Sequence, residues 1–305
     1  MQVDAAFCRI ADLLGEDIQE VVTGLSSSYL RAGGEVSGAT GRFGQADLRG
    51  GREIEQGIQS SSRDSSFGSP SLVAPTRLAS PADIAALIGD RTLIFDFDGP
   101  VCSLFSEFTN VQVSDIMRRS IRWRFRFQRV SFPPKINREK DPFEVLRYVA
   151  KLGEDFGIAG EKKLSALEVV AARTAKPTPY AHELIRTASK SRDVVFASNN
   201  ATAAVKTYLA THDLDRYASG VFGRSSHILS RLKPDRFLLE HTLSELGLSP
   251  DQVVYIGDST TDVMAAHASG IRAIAYANKP GKLASFMPYE PEAVVDSMSV
   301  LLRAL

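Results

Sequence analysis

The sequence predicts an α/β fold: a Rossmann-like parallel sheet core with an inserted helical cap and a largely disordered N-terminal extension. Three observations carry this. From residue 180 onward, short apolar runs alternate with amphipathic segments, the pattern of a parallel sheet covered on both faces. The apolar run Thr92-Leu93-Ile94 opens into Phe95-Asp96-Phe97-Asp98-Gly99-Pro100-Val101, a buried strand running into a glycine turn. Residues 102–178 then separate this strand from the next, too far for a simple crossover.

In residues 1–25, Val3, Phe7, Ile10, Leu14, Ile18, Val21 and Leu25 recur at steps of three and four, which predicts an amphipathic helix. Its apolar stripe needs burial, against the main domain or a second copy in a homodimer. Its polar face is acidic (Asp4, Asp12, Glu16, Asp17, Glu20), which argues against an anionic membrane surface. Residues 26–80 are rich in Gly and Ser with few large apolar side chains, so they read as a flexible linker.

The core is expected in two pieces, 81–101 and 179–305, with the helical cap at 102–178. Ser80-Pro81 is a helix start signal, and a short helix to Ile88 leads to a first strand over 92–97. In the cap, helices are expected over 111–119, 142–151 and 160–173. Lys176-Pro177-Thr178-Pro179 reads as the stiff return. Beyond it, helices are expected over 180–190, 202–211, 235–246 and 261–269. Strands are expected over 193–198, 221–223, 252–256 and 271–276, with a short one at 294–295 and a closing helix.

The segment from Arg118 to Arg129 interleaves arginines with Trp123, Phe125 and Phe127. It fits a polyanion surface. The preferred reading is an amphipathic element whose rings pack into the cap, because no second basic patch supports the first.

Lys plus Arg number 36 and Asp plus Glu 36, so net charge gives no pull toward nucleic acid, which is not expected as a partner. No apolar run reaches membrane-spanning length, and the N-terminus lacks a secretory signal pattern. The two cysteines, Cys8 and Cys102, form no metal-ligand spacing, and a cytoplasmic setting is expected. His212, His227, His241 and His267 show no zinc spacing.

Four strand ends carry matching chemistry. Asp96 and Asp98 follow the first, and two like charges at a sheet rim call for a cation. Ser198 and Asn199 end another. Lys233 precedes a helix in Leu232-Lys233-Pro234-Asp235. Asp258 and Asp262 frame Gly257-Asp258-Ser259-Thr260-Thr261-Asp262. Carboxylates with a lysine and a hydroxyl suit phosphate and magnesium. Lys279 and Lys282 are candidates for the mouth of this site, or else solvated surface lysines.

In this order, D-x-D-G at 96–99, S-N at 198–199, K-P at 233–234 and G-D-x-x-x-D at 257–262, the set resembles the haloacid dehalogenase superfamily. The likeness covers residues 92 to about 300. The insert resembles its type-one cap, of the phosphoglycolate phosphatase and β-phosphoglucomutase kind. The resemblance implies a magnesium-dependent phosphatase acting on a small phosphorylated metabolite. Asp96 would be the nucleophile and Asp98 the acid and base. Ser198, Asn199 and Lys233 would hold the phosphoryl group. Mg2+ would be held by Asp96, the Asp98 carbonyl and Asp258, with Asp262 supporting. An aspartate at 98 argues against dehalogenation. Gly99-Pro100-Val101 departs from the family pattern, since relatives often carry threonine or a β-branched residue there. A phosphomutase, or a partner- or polyanion-binding protein on the same fold, remains as an alternative.

Overall fold

The computed structural model describes residues 78–305. The helix expected over 1–25 and the linker up to residue 77 lie outside the described residues. The linker's expected end is corrected. The Ala79 N–H already donates to Val294 O at 2.8 Å, so Ala79 belongs to the core.

Helix α1 (Pro81–Ile88) starts on a capping box, with Ser80 and Asp83 each accepting from the other's main chain. Strand β1 (Thr92–Phe95) is buried at every position. β2 (Cys102–Ser103) pairs antiparallel with β3 (Lys176–Pro177). This two-stranded ribbon is where the chain leaves the core for the insert and returns.

Between the two crossings lie α2 (Asn110–Arg124), α3 (Pro134–Asn137), α4 (Pro142–Lys151) and α5 (Glu154–Ala172). Two expectations are corrected here. The third insert helix was expected to begin at 160. It begins at Glu154, and Gly157 and Gly160 within it are packing sites. A Cβ on Gly157 would lie 3.3 Å from Ala150 Cα, and one on Gly160 would lie 3.0 Å from a Leu146 methyl. The glycines let α5 approach α4 closely, which outweighs their poor helix propensity.

The Arg118–Arg129 stretch is also corrected. Thr109 and Gln112 cap α2, which runs through Arg124. Phe125 does pack, with its ring centroid 3.9 Å from that of Phe156. Trp123 and Phe127 stay 59% and 86% exposed, with the Arg126 guanidinium over both rings. Only one ring of the three is packed, and the expected amphipathic element is confined to the helix.

The rest alternates as expected. It comprises α6 (Ala181–Ala188), β4 (Val194–Ala201), α7 (Thr202–Thr211), β5 (Gly220–Arg224), α8 (Phe237–Leu246), β6 (Val253–Gly257), α9 (Thr260–Ala268) and β7 (Arg272–Tyr276). α10 (Lys282–Phe286), which the sequence did not announce, precedes β8 (Ala293–Val295) and α11 (Met298–Leu302). The main sheet runs β5-β4-β1-β6-β7-β8, and every pairing in it is parallel. Its apolar faces, with Ile94, Val195, Tyr255 and Ile274 fully buried, form the core. Because β1 sits between β4 and β6, their carboxyl ends share one rim, where ligands of open parallel sheets bind.

Candidate active site

The expected carboxylates and lysine meet at that rim. Asp96 follows β1, and its N–H donates to Ile256 O at 2.8 Å, which continues the pairing with β6 by one residue. The side chain is almost fully buried. Lys233 reaches it across the sheet, with Nζ 2.8 Å from Asp96 Oδ1 and 2.6 Å from Asp262 Oδ1. Nζ also donates to Tyr255 Oη at 2.6 Å, and Tyr255 in turn donates to Ala197 O at 2.9 Å. The three N–H bonds of the ammonium therefore have partners.

Electrostatics follow from this packing. Burial pushes the Asp96 carboxyl up to about 7, although Lys233 pulls it down. Burial also opposes charge on Lys233, yet Asp262 and Asp96 win and hold its ammonium above the ordinary lysine value. Burial acts against ionised Asp262, but Lys233 and the hydrogen bonds from Ser259 outweigh it and hold it below the ordinary carboxylate value. Lys233 is thus a fixed cation between two carboxylates.

Asp98 is half-buried, with Oδ1 accepting the Leu104 N–H at 2.9 Å. Burial raises its carboxyl to about 6, partly offset by that bond. It is held outside the acidic cluster, in which Asp96, Asp258 and Asp262 each offer one oxygen within 4.8 Å of the others. Its side chain is therefore not one of the clustered carboxylates.

The fourth motif sits at the start of α9. Both Asp262 oxygens are already engaged. Oδ1 accepts from Lys233 and lies 3.2 Å from Tyr255 Oη, and Oδ2 accepts from the Ser259 hydroxyl and the main-chain N–H groups of Asp258 and Ser259. Asp258 Oδ2 accepts from Lys282 Nζ at 2.5 Å and from Asn278 Nδ2 at 3.1 Å. Of the two candidate lysines for the mouth, Lys282 lies on Asp258, while Lys279 is exposed and close enough to Asp98 to favour its ionised form.

Glycine is required at 99. Its φ is +119°, and a Cβ there would lie 2.2 Å from the Asp258 carboxyl carbon. Thr178 Oγ1 donates to Gly99 O at 2.7 Å, fastening the turn to the returning segment of the insert.

Ser198 is fully buried, and its hydroxyl donates to Asn200 Oδ1 at 3.1 Å. The Asn199 side chain does not stand open to a phosphate, as expected from sequence. Its Nδ2 donates to Lys233 O at 3.1 Å, and its Oδ1 accepts the Lys233 N–H at 2.9 Å. Both polar ends hold the Lys233 main chain, because β4 and the loop before α8 run side by side here.

The donor set suits a hard divalent cation. It consists of carboxylate oxygens alone, clustered where burial, with Asp262 and Asp258 nearby, pushes Asp96 toward neutrality. Among the described residues no other group of three or more His, Cys, Asp or Glu is placed to hold a metal.

Sequence reasoning missed Tyr255, Glu168 and Arg224. Tyr255 reads as one more apolar strand residue. Glu168 carried a signal, since it shares the buried face of α5 with Leu164, Leu167 and Ala171. Arg224 was hidden because β5 was expected to end at 223. Its Nη2 lies 2.7 Å from Glu168 Oε2, with both side chains buried.

A sequence model of the haloacid dehalogenase-like hydrolases matches residues 91–270. The chain belongs to that family. A phosphoglycolate phosphatase of Salmonella typhi is 32% identical over 110 residues, which is 35% of this chain and 42% of the relative. One from Haemophilus influenzae (strain 86-028NP) is 30% identical over 108 residues, covering 35% and 47%. The chain thus matches less than half the length of these curated relatives. Among solved structures, a predicted phosphatase from Clostridium acetobutylicum shares 15% identity at a TM-score of 0.51, covering 69% of this chain and 95% of that one. A likeness at this identity shows the fold of this haloacid dehalogenase-like hydrolase. No helix among the described residues is long and apolar enough to cross a membrane.

Proposed function

We propose that this chain is a magnesium-dependent phosphatase that hydrolyses a small phosphorylated metabolite through an aspartyl-phosphate on Asp96. The observation that carries the reading is the place of Asp96. It is buried at the sheet rim, bonded to Lys233 Nζ at 2.8 Å, with one carboxylate oxygen of Asp258 within 4.8 Å.

Asp96 attacks phosphorus, and the substrate oxygen leaves with the proton of Asp98. A carboxyl raised to about 6 retains part of its proton near neutrality, which suits that task. The ionised Asp98 then takes a proton from the water that attacks the phosphorus of the intermediate, and Asp96 is released. Lys233 would hold the phosphoryl oxygens, the Ser198 hydroxyl would join it by turning from Asn200 Oδ1, and Asn199 keeps Lys233 in place. Asp96, Asp258 and the Asp98 carbonyl would hold the metal, with Asp262 fixing the Asp258 main chain. Magnesium there would supply positive charge to the phosphoryl oxygens and keep Asp96 ionised at neutral pH.

In this reading the helical insert acts as a cap that keeps bulk water from the acyl-phosphate. The curated relatives are phosphoglycolate phosphatases, so 2-phosphoglycolate belongs first in a substrate panel. The setting would be cytoplasmic.

The test is phosphate release from phosphorylated metabolites by the full chain, with magnesium and with chelator. Turnover that needs magnesium supports the reading. Transfer to a second sugar hydroxyl in place of water would reassign the chain as a phosphomutase. A folded protein that releases nothing from any compound would contradict the phosphatase reading.

A further inference from the structure

We infer that Glu168 and Arg224 are positioning residues for the phosphate-holding groups, through which helix α5 of the insert sets the geometry of Ser198 and Lys233. The inference rests on the phosphatase reading above and adds residues that none of the four motifs contains.

Glu168 is fully buried on α5, and Arg224, at the end of β5, is nearly so. A buried ion pair is costly unless its remaining lone pairs and protons find partners, and here all but Arg224 Nε, which lies 3.5 Å from Glu161 Oε1 without a hydrogen bond, are engaged. Glu168 Oε1 accepts from Arg224 Nη1 at 3.2 Å and from Asn200 Nδ2 at 3.1 Å. Its Oε2 accepts from Arg224 Nη2 at 2.7 Å and from the Ala201 N–H at 2.9 Å. Half of these donors thus belong to the two residues that follow Ser198-Asn199. Arg224 Nη1 also donates to Asn199 O at 2.8 Å.

The bonds then run on to the site. The Asn199 side chain clamps the Lys233 main chain in both directions, and Asn200 Oδ1 accepts the Ser198 hydroxyl. These hydrogen bonds are joined by the covalent chain within Asn199, Asn200 and Lys233, and the path ends on Lys233 Nζ, 2.8 Å from Asp96.

The sheet leaves this work undone. Pairing of β4 with β5 is regular up to Ala197, then shifts, and resumes only at Ala201 opposite Arg224. Residues 198–200 lie in that interruption. Glu168 and Arg224 supply the bonds that a regular ladder would otherwise give. A pair that only fastened α5 to the core would have no need to bond the main chain at Asn199 and Ala201.

Two variants of the full chain test this. Glu168→Leu with Arg224→Met replaces the buried pair by apolar side chains, which proteins commonly tolerate. Arg224→Lys keeps the charge on Glu168 but removes the fork that reaches Asn199. The probe is inorganic phosphate, bound in the presence of magnesium and followed by calorimetry. Exchange of main-chain amides over 198–201 and 232–233 is measured in the metal-free protein.

Both variants are expected to lose phosphate affinity by about 10- to 100-fold, the range for groups that orient ligand-binding residues. Magnesium affinity should stay near wild type, and exchange over the two segments should rise. Wild-type phosphate affinity and wild-type exchange in either folded variant would overturn the inference. If the wild-type protein binds no phosphate and hydrolyses nothing, the phosphatase reading fails. The exchange result still decides whether Glu168 and Arg224 hold these segments. Should the double variant not fold, Arg224→Lys alone decides.

Discussion

Lys233 Nζ lies 2.8 Å from Asp96 Oδ1 across 137 residues of sequence, and 2.6 Å from Asp262 Oδ1 on the other side. The three charges hold one another in place inside the protein. Replacing Lys233 by methionine leaves two buried carboxylates with no cation, so one must take a proton. The expected cost is about 3–5 kcal/mol of stability, the range for removing one partner of a buried pair. Phosphate release should fall at least about 100-fold, as it does when a single charge-stabilising donor is lost from such sites. Thermal unfolding and steady-state kinetics check both effects.

Tyr255 is the nearer neutral partner of the Lys233 ammonium, accepting from Nζ at 2.6 Å and donating to Ala197 O at 2.9 Å, with Ala197 O itself 3.5 Å from Nζ. Tyr255→Phe keeps the ring and leaves the lysine N–H and the Ala197 carbonyl only their long mutual contact at 3.5 Å in the core. A loss of about 1–3 kcal/mol is expected on denaturant unfolding. Activity should drop while the magnesium requirement is unchanged, because Tyr255 touches no carboxylate that would hold the metal except through Asp262.

Gly99→Ala should damage metal binding more than folding. Its φ of +119° and the Asp258 carboxyl 2.2 Å from an added Cβ mean that Asp258 must move. The backbone cost is about 1–3 kcal/mol. Magnesium affinity, measured by calorimetry, should weaken by at least about tenfold. An unchanged affinity would mean that Asp258 is not a ligand.

A pH effect on stability is expected far from the site. His267 Nε2 lies 3.3 Å from Glu292 Oε2, and the Glu292 hydrogen bond raises the histidine. Burial disfavours ionised Glu292, but bonds from His267 and the Ala273 N–H outweigh it and hold Glu292 below its ordinary value. A raised histidine contributes stability that is fully present below its unfolded value and is lost as pH rises through its folded value. A lowered carboxyl contributes above its unfolded value and loses that as pH falls. The pair therefore helps most between the ordinary glutamate and histidine values. Both groups are partly exposed, so screening limits the gain to about 0.5 kcal/mol. His267→Gln should cost that much near pH 5.5 and almost nothing near pH 8.5, by urea unfolding at the two values.

The strands and the parallel sheet were legible because apolar runs between turn signals fix strands with little help from tertiary contacts, whereas the strand order came only from the structure. Asp96, Lys233, Asp258 and Asp262 were legible because each lies in a short local motif at a strand or helix end. What the sequence hid was set by packing at a distance. The first turns of α5 were missed, and Gly157 and Gly160 within them are explained by the proximity of α4. Asn199 reads as a ligand-binding amide, whereas the main chain of Lys233, brought alongside by the fold, takes both of its polar ends. Trp123 and Phe127 have the composition of core residues, yet the insert closes around Phe125 and leaves them outside. Glu168 and Arg224 belong to no motif, since their partners come from segments 30 to 60 residues away.

The central claim is that Asp96 becomes phosphorylated. The most direct measurement is to quench the full chain during turnover with magnesium and substrate, reduce it with borohydride, and map the peptides by mass spectrometry. Borohydride converts an aspartyl-phosphate into homoserine. The account predicts homoserine at position 96 only when both magnesium and substrate are present, and none in the Asp96→Asn variant, which should not turn over. Turnover with no change at position 96, or homoserine at Asp98 or Asp258 in its place, would contradict it.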